Sequence, residues 1–314
     1  MKKSCPMKKI SYLIGLSCLC ISVLSSCEKD DPMIIPGSTT VIADHTIAHE
    51  DILRSIPDEY INAARNDLHI AYQHTSHGTH VSRGMFGLPD YKAGDDTRFA
   101  ISNNDPQDDK LDFRDYAMEA YAESGVDASD LSRNETAFIQ ATRNYLDDPD
   151  NSEINVIMWS WCNIAGHDVA TNYLPGMQTL INEYPSVAFI FMTGHANQNA
   201  NVGDGNPKNQ ADLIINYCEE NKFYCLDYYG IDTHDMAGNY WEDAGDDGNS
   251  STGGNYYADW QNSHSVGDGY FENRGAPGGS VTYGAHNTQH ITANRKAYAM
   301  WYILATIAGW DGEN

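Results

Sequence analysis

Apolar and polar positions along this chain alternate with two different periods, and the switches between them mark out a repeating strand–helix pattern. Short apolar-leaning runs fall at His69–Tyr72, Ile154–Trp161, Val187–Met192 and Phe223–Tyr229. They read as strands, and Ile154-Asn-Val-Ile-Met-Trp-Ser-Trp161 is apolar enough to be central in a sheet covered on both faces. Segments of helical spacing separate them. Asn134–Leu146 puts Ala137, Phe138, Ala141 and Tyr145 on one side, and Tyr173–Tyr184 and Asn209–Asn221 follow. A further helix is expected from Ser55 as N-cap, with Pro57 in its first turn, where a missing N–H does no harm. An aromatic-rich helix, Ala293–Ala308, closes the series. From Gly87 to Phe113 periodicity is weak, so a loop is expected there, with a helix at Arg114–Ala122. Strands alternating with helices imply right-handed crossovers and a mostly parallel sheet, hence an α/β fold: a three-layer αβα sandwich.

The two ends and one interior stretch depart from this pattern. Lys2, Lys3, Lys8 and Lys9 precede an apolar run, Ile10–Leu24, too short to span a membrane as a helix, and Leu24-Ser-Ser-Cys27 closes it. Residues 1–26 resemble a bacterial lipoprotein signal peptide, which implies cleavage before Cys27 and lipidation of that cysteine. Residues 27–40, opening Glu28-Lys-Asp-Asp-Pro32, form an acidic polar tether similar to the export tag of Bacteroidetes-type surface lipoproteins. Both resemblances imply an outer-membrane lipoprotein at the cell surface, held to the membrane only through the lipid on Cys27. Residues 41–314 are then one domain, interrupted at about 230–284 by a Gly-, Asn- and aromatic-rich insert that includes Tyr240, Trp241, Tyr256, Tyr257, Trp260 and Tyr270. A stretch of that length without regular periodicity suits a lid or rim.

Charge narrows the partners. The chain carries 44 acidic against 19 basic residues, a formal charge of −25, and loss of the leader removes four lysines and no acid. Such a surface repels nucleic acid and anionic headgroups. Of seven cysteines, three go with the leader and Cys27 goes to the lipid. Cys162, Cys218 and Cys225 remain, and the last two could pair. No Cys-x-x-Cys spacing supports a zinc knuckle.

Candidate chemistry gathers just past the strand ends. Gln73-His-Thr-Ser-His-Gly78 follows the first apolar run, placing Ser76 at the carboxyl end of a strand, where ligands collect in open α/β sheets. Taken alone, the stretch favours Thr75 and Ser76 as caps of the next helix. Histidines recur at other strand ends: His74, His77 and His80, then His195 in Met-Thr-Gly-His-Ala, then His286 and His290 before the last helix.

In element order over most of residues 60–310 the chain resembles the SGNH/GDSL hydrolases, which carry a serine after the first strand and a histidine before the last helix. That resemblance implies a serine esterase with Ser76 as nucleophile and His290 as base. Asn163, in Trp161-Cys-Asn163, would be the oxyanion-hole side chain and Gly125 a glycine donor. Asn287 stands where the family places its aspartate, so the base would need another orienting group, such as an acid from the insert. His286 rivals His290 as base, and His195 would position substrate. His74 and His77 remain alternative bases or substrate contacts. The implied substrate is a carbohydrate ester or other small ester, handled by a monomer without cofactor or metal. Two rival readings stand beside it. The histidine cluster could serve a metal-dependent hydrolase, and the aromatic insert could make the protein a non-catalytic glycan binder. Asp243, Asp246 and Asp247 with Gly248 do not match the spacing of a twelve-residue calcium loop and are expected to be a solvated acidic turn.

Overall fold

A computed structural model describes residues 40–275, 286 and 289–312. The leader, Cys27 and the tether as far as residue 39 lie outside the described residues, as do residues 276–285 of the insert and Asn287. Seven strands build the central sheet: β1 (Val41–Ala43), β2 (His69–Gln73), β3 (Ile101–Asn103), β4 (Leu111–Asp115), β5 (Val156–Trp159), β6 (Ala188–Met192) and β7 (Tyr224–Leu226). Their order is β1-β7-β6-β5-β2-β4-β3 and every pairing is parallel.

Parallel strands need crossovers, and these coat both faces to give the αβα sandwich. Successive strand residues feed two cores. Ile70, Tyr72, Val156, Met158, Ile190 and Met192 pack with Leu53, Ile61, Val81, Met85 and the terminal helix His290–Ile307. Ala71, Ile157, Trp159, Phe189 and Phe191 face the opposite way. They meet Phe138 and Ala141 of helix Ala137–Leu146, Met177 and Leu180 of helix Leu174–Glu183, and Ile214 of helix Pro207–Asn221. Because β5 is buried on both faces, its unbroken apolar run is what its position requires.

Four local expectations are corrected. Ser55 is not the N-cap of the helix that follows: it ends a helix of its own, Glu50–Ser55, and the expected helix is Asp58–Asp67 with Pro57 at its N-cap, Pro57 having driven Ile56 out of helical geometry. Arg114 and Asp115 end β4 rather than opening a helix. Asp112 is masked as a strand residue by its polarity, but it is buried against His69 and Arg114. The strand at Phe223 stops at Leu226, because the Asp227 carboxylate accepts from Gly230 N–H and caps a helix, Tyr228–Thr233. The insert has structure of its own: helix Tyr256–Ser263 and two small strand pairs, Asn249–Ser250 with Gly254–Asn255 and Ser265–Val266 with Gly269–Tyr270. Cys218 and Cys225 are buried free thiols. Among the described residues no helix is long and apolar enough to cross a membrane.

Candidate active site

The chain leaves β2 towards β4 on one side and later lays β5 on the other, so the strand order reverses between β2 and β5. Adjacent crossovers diverge at such a point and open a crevice beyond the carboxyl ends of the strands. Ser76 follows β2 and Cys162 follows β5, so both stand at this crevice; His195 follows β6.

Ser76 opens a tight helical turn, Ser76–Gly78, that runs directly into helix Thr79–Gly87. Its φ is +49°, in the left-handed region that costs a non-glycine residue about 1 kcal/mol or more. Neighbours fix the turn. The Tyr72 hydroxyl donates to the Gly78 carbonyl at 2.8 Å, and the Tyr228 hydroxyl donates to the His77 carbonyl at 2.8 Å. Thr75 donates its hydroxyl to Asp130, whose other oxygen accepts from Ser132 and Arg133 N–H. Gly78 has to be glycine, since a Cβ there would run into the Ser160 side chain and His74 Cβ.

Facing Ser76 is His286, whose Nε2 is hydrogen-bonded to Ser76 Oγ. His286 also holds a positive φ, +67°. Behind it the imidazoles form a stack: His77 lies 4.2 Å from His286 and 3.6 Å from His195, nearly parallel to both. His77 is bracketed edgewise too, with Nδ1 3.7 Å from Cys162 Sγ and Nε2 3.5 Å from an Asp246 carboxylate oxygen. Burial, then the adjacent His195 and His286, hold the His77 pKa down at about 2, so it is neutral. His195 Nδ1 lies 2.7 Å from the Ala196 carbonyl, which can only accept, so that nitrogen carries the proton and Nε2 is left as an acceptor. Burial lowers its pKa as well.

The expected site residues separate accordingly. Ser76, His286, His77 and His195 come together. His290 does not take the base position: it starts the terminal helix, its Nδ1 accepts from Asn273 N–H at 3.0 Å, and its ring stacks on Tyr270. A four-residue offset at a helix start decides this, because it carries His290 into the helix while His286 stays in the preceding turn. His74 is likewise withdrawn, buried with Nε2 2.6 Å from Asp115 and its ring against Tyr72 and Tyr116. Gly125 lies in an exposed turn at φ +81°, which accounts for the glycine without a role at Ser76. Asn163 is exposed beside Cys162 and its side-chain oxygen accepts from Ala165 N–H, leaving its amide N–H₂ as the group available to donate. Asp246 was legible only as one acid in an acidic turn. The insert delivers it to His77 because Asn197 and Gly245 bridge and Gln198 N–H donates to the Ala244 carbonyl.

Beneath the crevice lies a buried ion pair, Lys296 Nζ to Asp232 at 2.7 Å, with both side chains inaccessible. The other Asp232 oxygen accepts from Ala196 N–H, and the Lys296 ammonium sits 3.7 Å above the Tyr228 ring. One pair thus braces both the His195 loop and the tyrosine that holds His77. A separate concavity of about 690 Å³, lined by His167, Asp168, Asp204 and Gln210 among others, shares no residue with the crevice.

In comparisons with known proteins, no family model, no curated protein and no solved structure matches the chain. The chemistry of the crevice therefore rests on its own geometry.

Proposed function

We propose that the protein is a serine ester hydrolase of SGNH type, with Ser76 as nucleophile and His286 as general base. The observation that carries this reading is the Ser76 Oγ–His286 Nε2 hydrogen bond at the sheet's switch point, made by two residues both held at positive φ. A serine hydroxyl is a poor nucleophile until an adjacent base takes its proton.

In this mechanism Ser76 Oγ attacks the ester carbonyl carbon as His286 Nε2 removes the hydroxyl proton. The oxyanion is met by the Ser76 and His77 N–H groups, which open the helical run; the next, Gly78 N–H, is already bonded to the Thr75 carbonyl. The intermediate collapses, the bond to the alcohol oxygen breaks, and His286 returns its proton to that oxygen. Water, deprotonated by His286, then attacks the acyl-serine, and the acid leaves as Ser76 regains its proton. The family's aspartate position, three residues before the base, is Tyr283 when His286 is the base. A carboxylate does reach the imidazole stack: Asp246, on His77. His77 is the neutral ring against which His286 is held, and His195 offers an acceptor nitrogen to substrate hydroxyls. A carbohydrate ester fits the aromatic insert, in which Trp241 stacks on Tyr256, and Tyr240 is 42 % exposed.

Hydrolysis of p-nitrophenyl acetate and acetylated xylan tests this reading. Ser76→Ala is expected to lower kcat by about 10⁴-fold or more, as loss of a nucleophile does, with wild-type activity surviving a chelator. Activity that resists Ser76→Ala but disappears on chelation would transfer the chemistry to a metal. No hydrolysis by the folded wild type of these or other esters would leave a binding protein.

A further inference from the structure

We propose that Cys162, His77 and His286 form a binding site for one zinc-class divalent ion, and that the ion silences the Ser76 chemistry by taking His286. The binding half stands on its own geometry; the silencing half rests on the esterase reading.

Three features of the crevice carry this. The donor set is two imidazoles and a thiol whose ligand atoms all lie within 4.8 Å of one another, and nitrogen with sulfur is the combination zinc prefers over magnesium or calcium. Zinc–nitrogen and zinc–sulfur bonds of about 2.0–2.3 Å in a tetrahedron put neighbouring ligand atoms about 3.3–3.7 Å apart. His77 Nδ1 and Cys162 Sγ, at 3.7 Å, already have that separation. Finally, the outer nitrogen of His77 faces a carboxylate, Asp246, at 3.5 Å. Metal-bound histidines commonly donate their second N–H to a carboxylate, which fixes the tautomer that leaves the other nitrogen free to bind.

The ion would enter as follows. Cys162 binds as thiolate, its proton passing to solvent, and His77 binds through Nδ1 with Nε2–H on Asp246. His286 supplies the third ligand. Its ring is stacked on His77, so its in-plane lone pair does not yet converge with that of His77. Turning the ring to the ion withdraws Nε2 from Ser76 and leaves the serine without its base. A water completes the tetrahedron.

The test adds Co²⁺, then Zn²⁺, to the purified full chain freed of metal. Expected are one ion per chain, a thiolate-to-cobalt absorption band in the near ultraviolet, and displacement of cobalt by zinc. Cys162→Ser should lose the band, and Asp246→Asn should weaken zinc binding about 10–100-fold, each with an unchanged circular dichroism spectrum. Zinc should suppress p-nitrophenyl acetate hydrolysis and a chelator restore it. A folded wild-type chain that binds no stoichiometric ion, or binds cobalt without the thiolate band, overturns the site. Zinc that raises hydrolysis overturns the silencing role. A chain that shows the band yet hydrolyses no ester keeps the metal site while the esterase reading fails.

Discussion

Ser76 and His286 are each held in a backbone conformation that disfavours side-chain-bearing residues, and each faces the other. Strain of this kind persists only where the surroundings enforce it, and around Ser76 they do so through Tyr72, Tyr228 and Asp130. His77 is the crevice residue that burial shifts strongly towards its neutral form. Its pKa of about 2 lies below the ordinary 6.5, so the native chain keeps it neutral where the unfolded chain protonates it. Its contribution to stability is complete above pH 6.5 and declines as pH falls from there towards about 2. Within that window the extra proton bound on unfolding is worth about 1.4 kcal/mol per pH unit. His77→Phe keeps a ring in the stack but removes the proton. Unfolding free energies measured between about pH 6 and pH 4 should then lose roughly that slope. An unchanged slope would contradict a neutral His77. At this scale the sequence showed which residue types gather at the strand ends, yet could not rank His286 over His290. Four residues separate them, and where the terminal helix begins decides which ring remains free.

Elements place these residues, and a close contact between two helices lies behind the Ser76 turn. Helix Thr79–Gly87 packs on the terminal helix through Gly84, where an added Cβ would fall on the Ala293 carbonyl oxygen. Gly84→Ala must therefore push two backbones apart, and a loss of about 1–3 kcal/mol is expected in denaturant unfolding. A variant as stable as wild type would show that the helices sit further apart than described. The strands with continuous apolar runs, β2, β5, β6 and β7, were all legible, because burial on both faces leaves a plain signal. β1 and β3, three residues each, and β4 with its alternating Leu-Asp-Phe-Arg-Asp were not. β1 and β3 are sheet edges too short to stand out, although β1 is all apolar, and β4 satisfies its charges by pairing in place of an apolar run.

At the scale of the whole molecule, the crevice depends on segments far apart in sequence being tied beneath it. Lys296 and Asp232, joined at 2.7 Å with no exposure, connect the terminal helix to the loop after β6. Burial pushes the Asp232 carboxyl up to about 7 and the Lys296 ammonium down, each towards its neutral form. Lys296→Met removes the ammonium that holds the Asp232 pKa down, so at neutral pH the buried carboxyl takes up a proton that the unfolded chain does not, and a loss of about 3–5 kcal/mol is expected there. That deficit should shrink as pH falls towards the ordinary carboxylate value of 3.8, where the unfolded chain binds the proton as well, which unfolding curves at two pH values would reveal. A deficit independent of pH would mean that the pair acts only through packing. The reversal of strand order between β2 and β5 is likewise a property of the assembled sheet, and it turns a serine after one strand and a histidine more than two hundred residues later into a pair. Labelling with a fluorophosphonate, followed by peptide mapping, tests that pairing most directly. The account predicts one adduct, on Ser76, lost in His286→Ala and retained in His290→Ala. An adduct on another residue, or labelling of Ser76 that depends on His290 and not on His286, would contradict it.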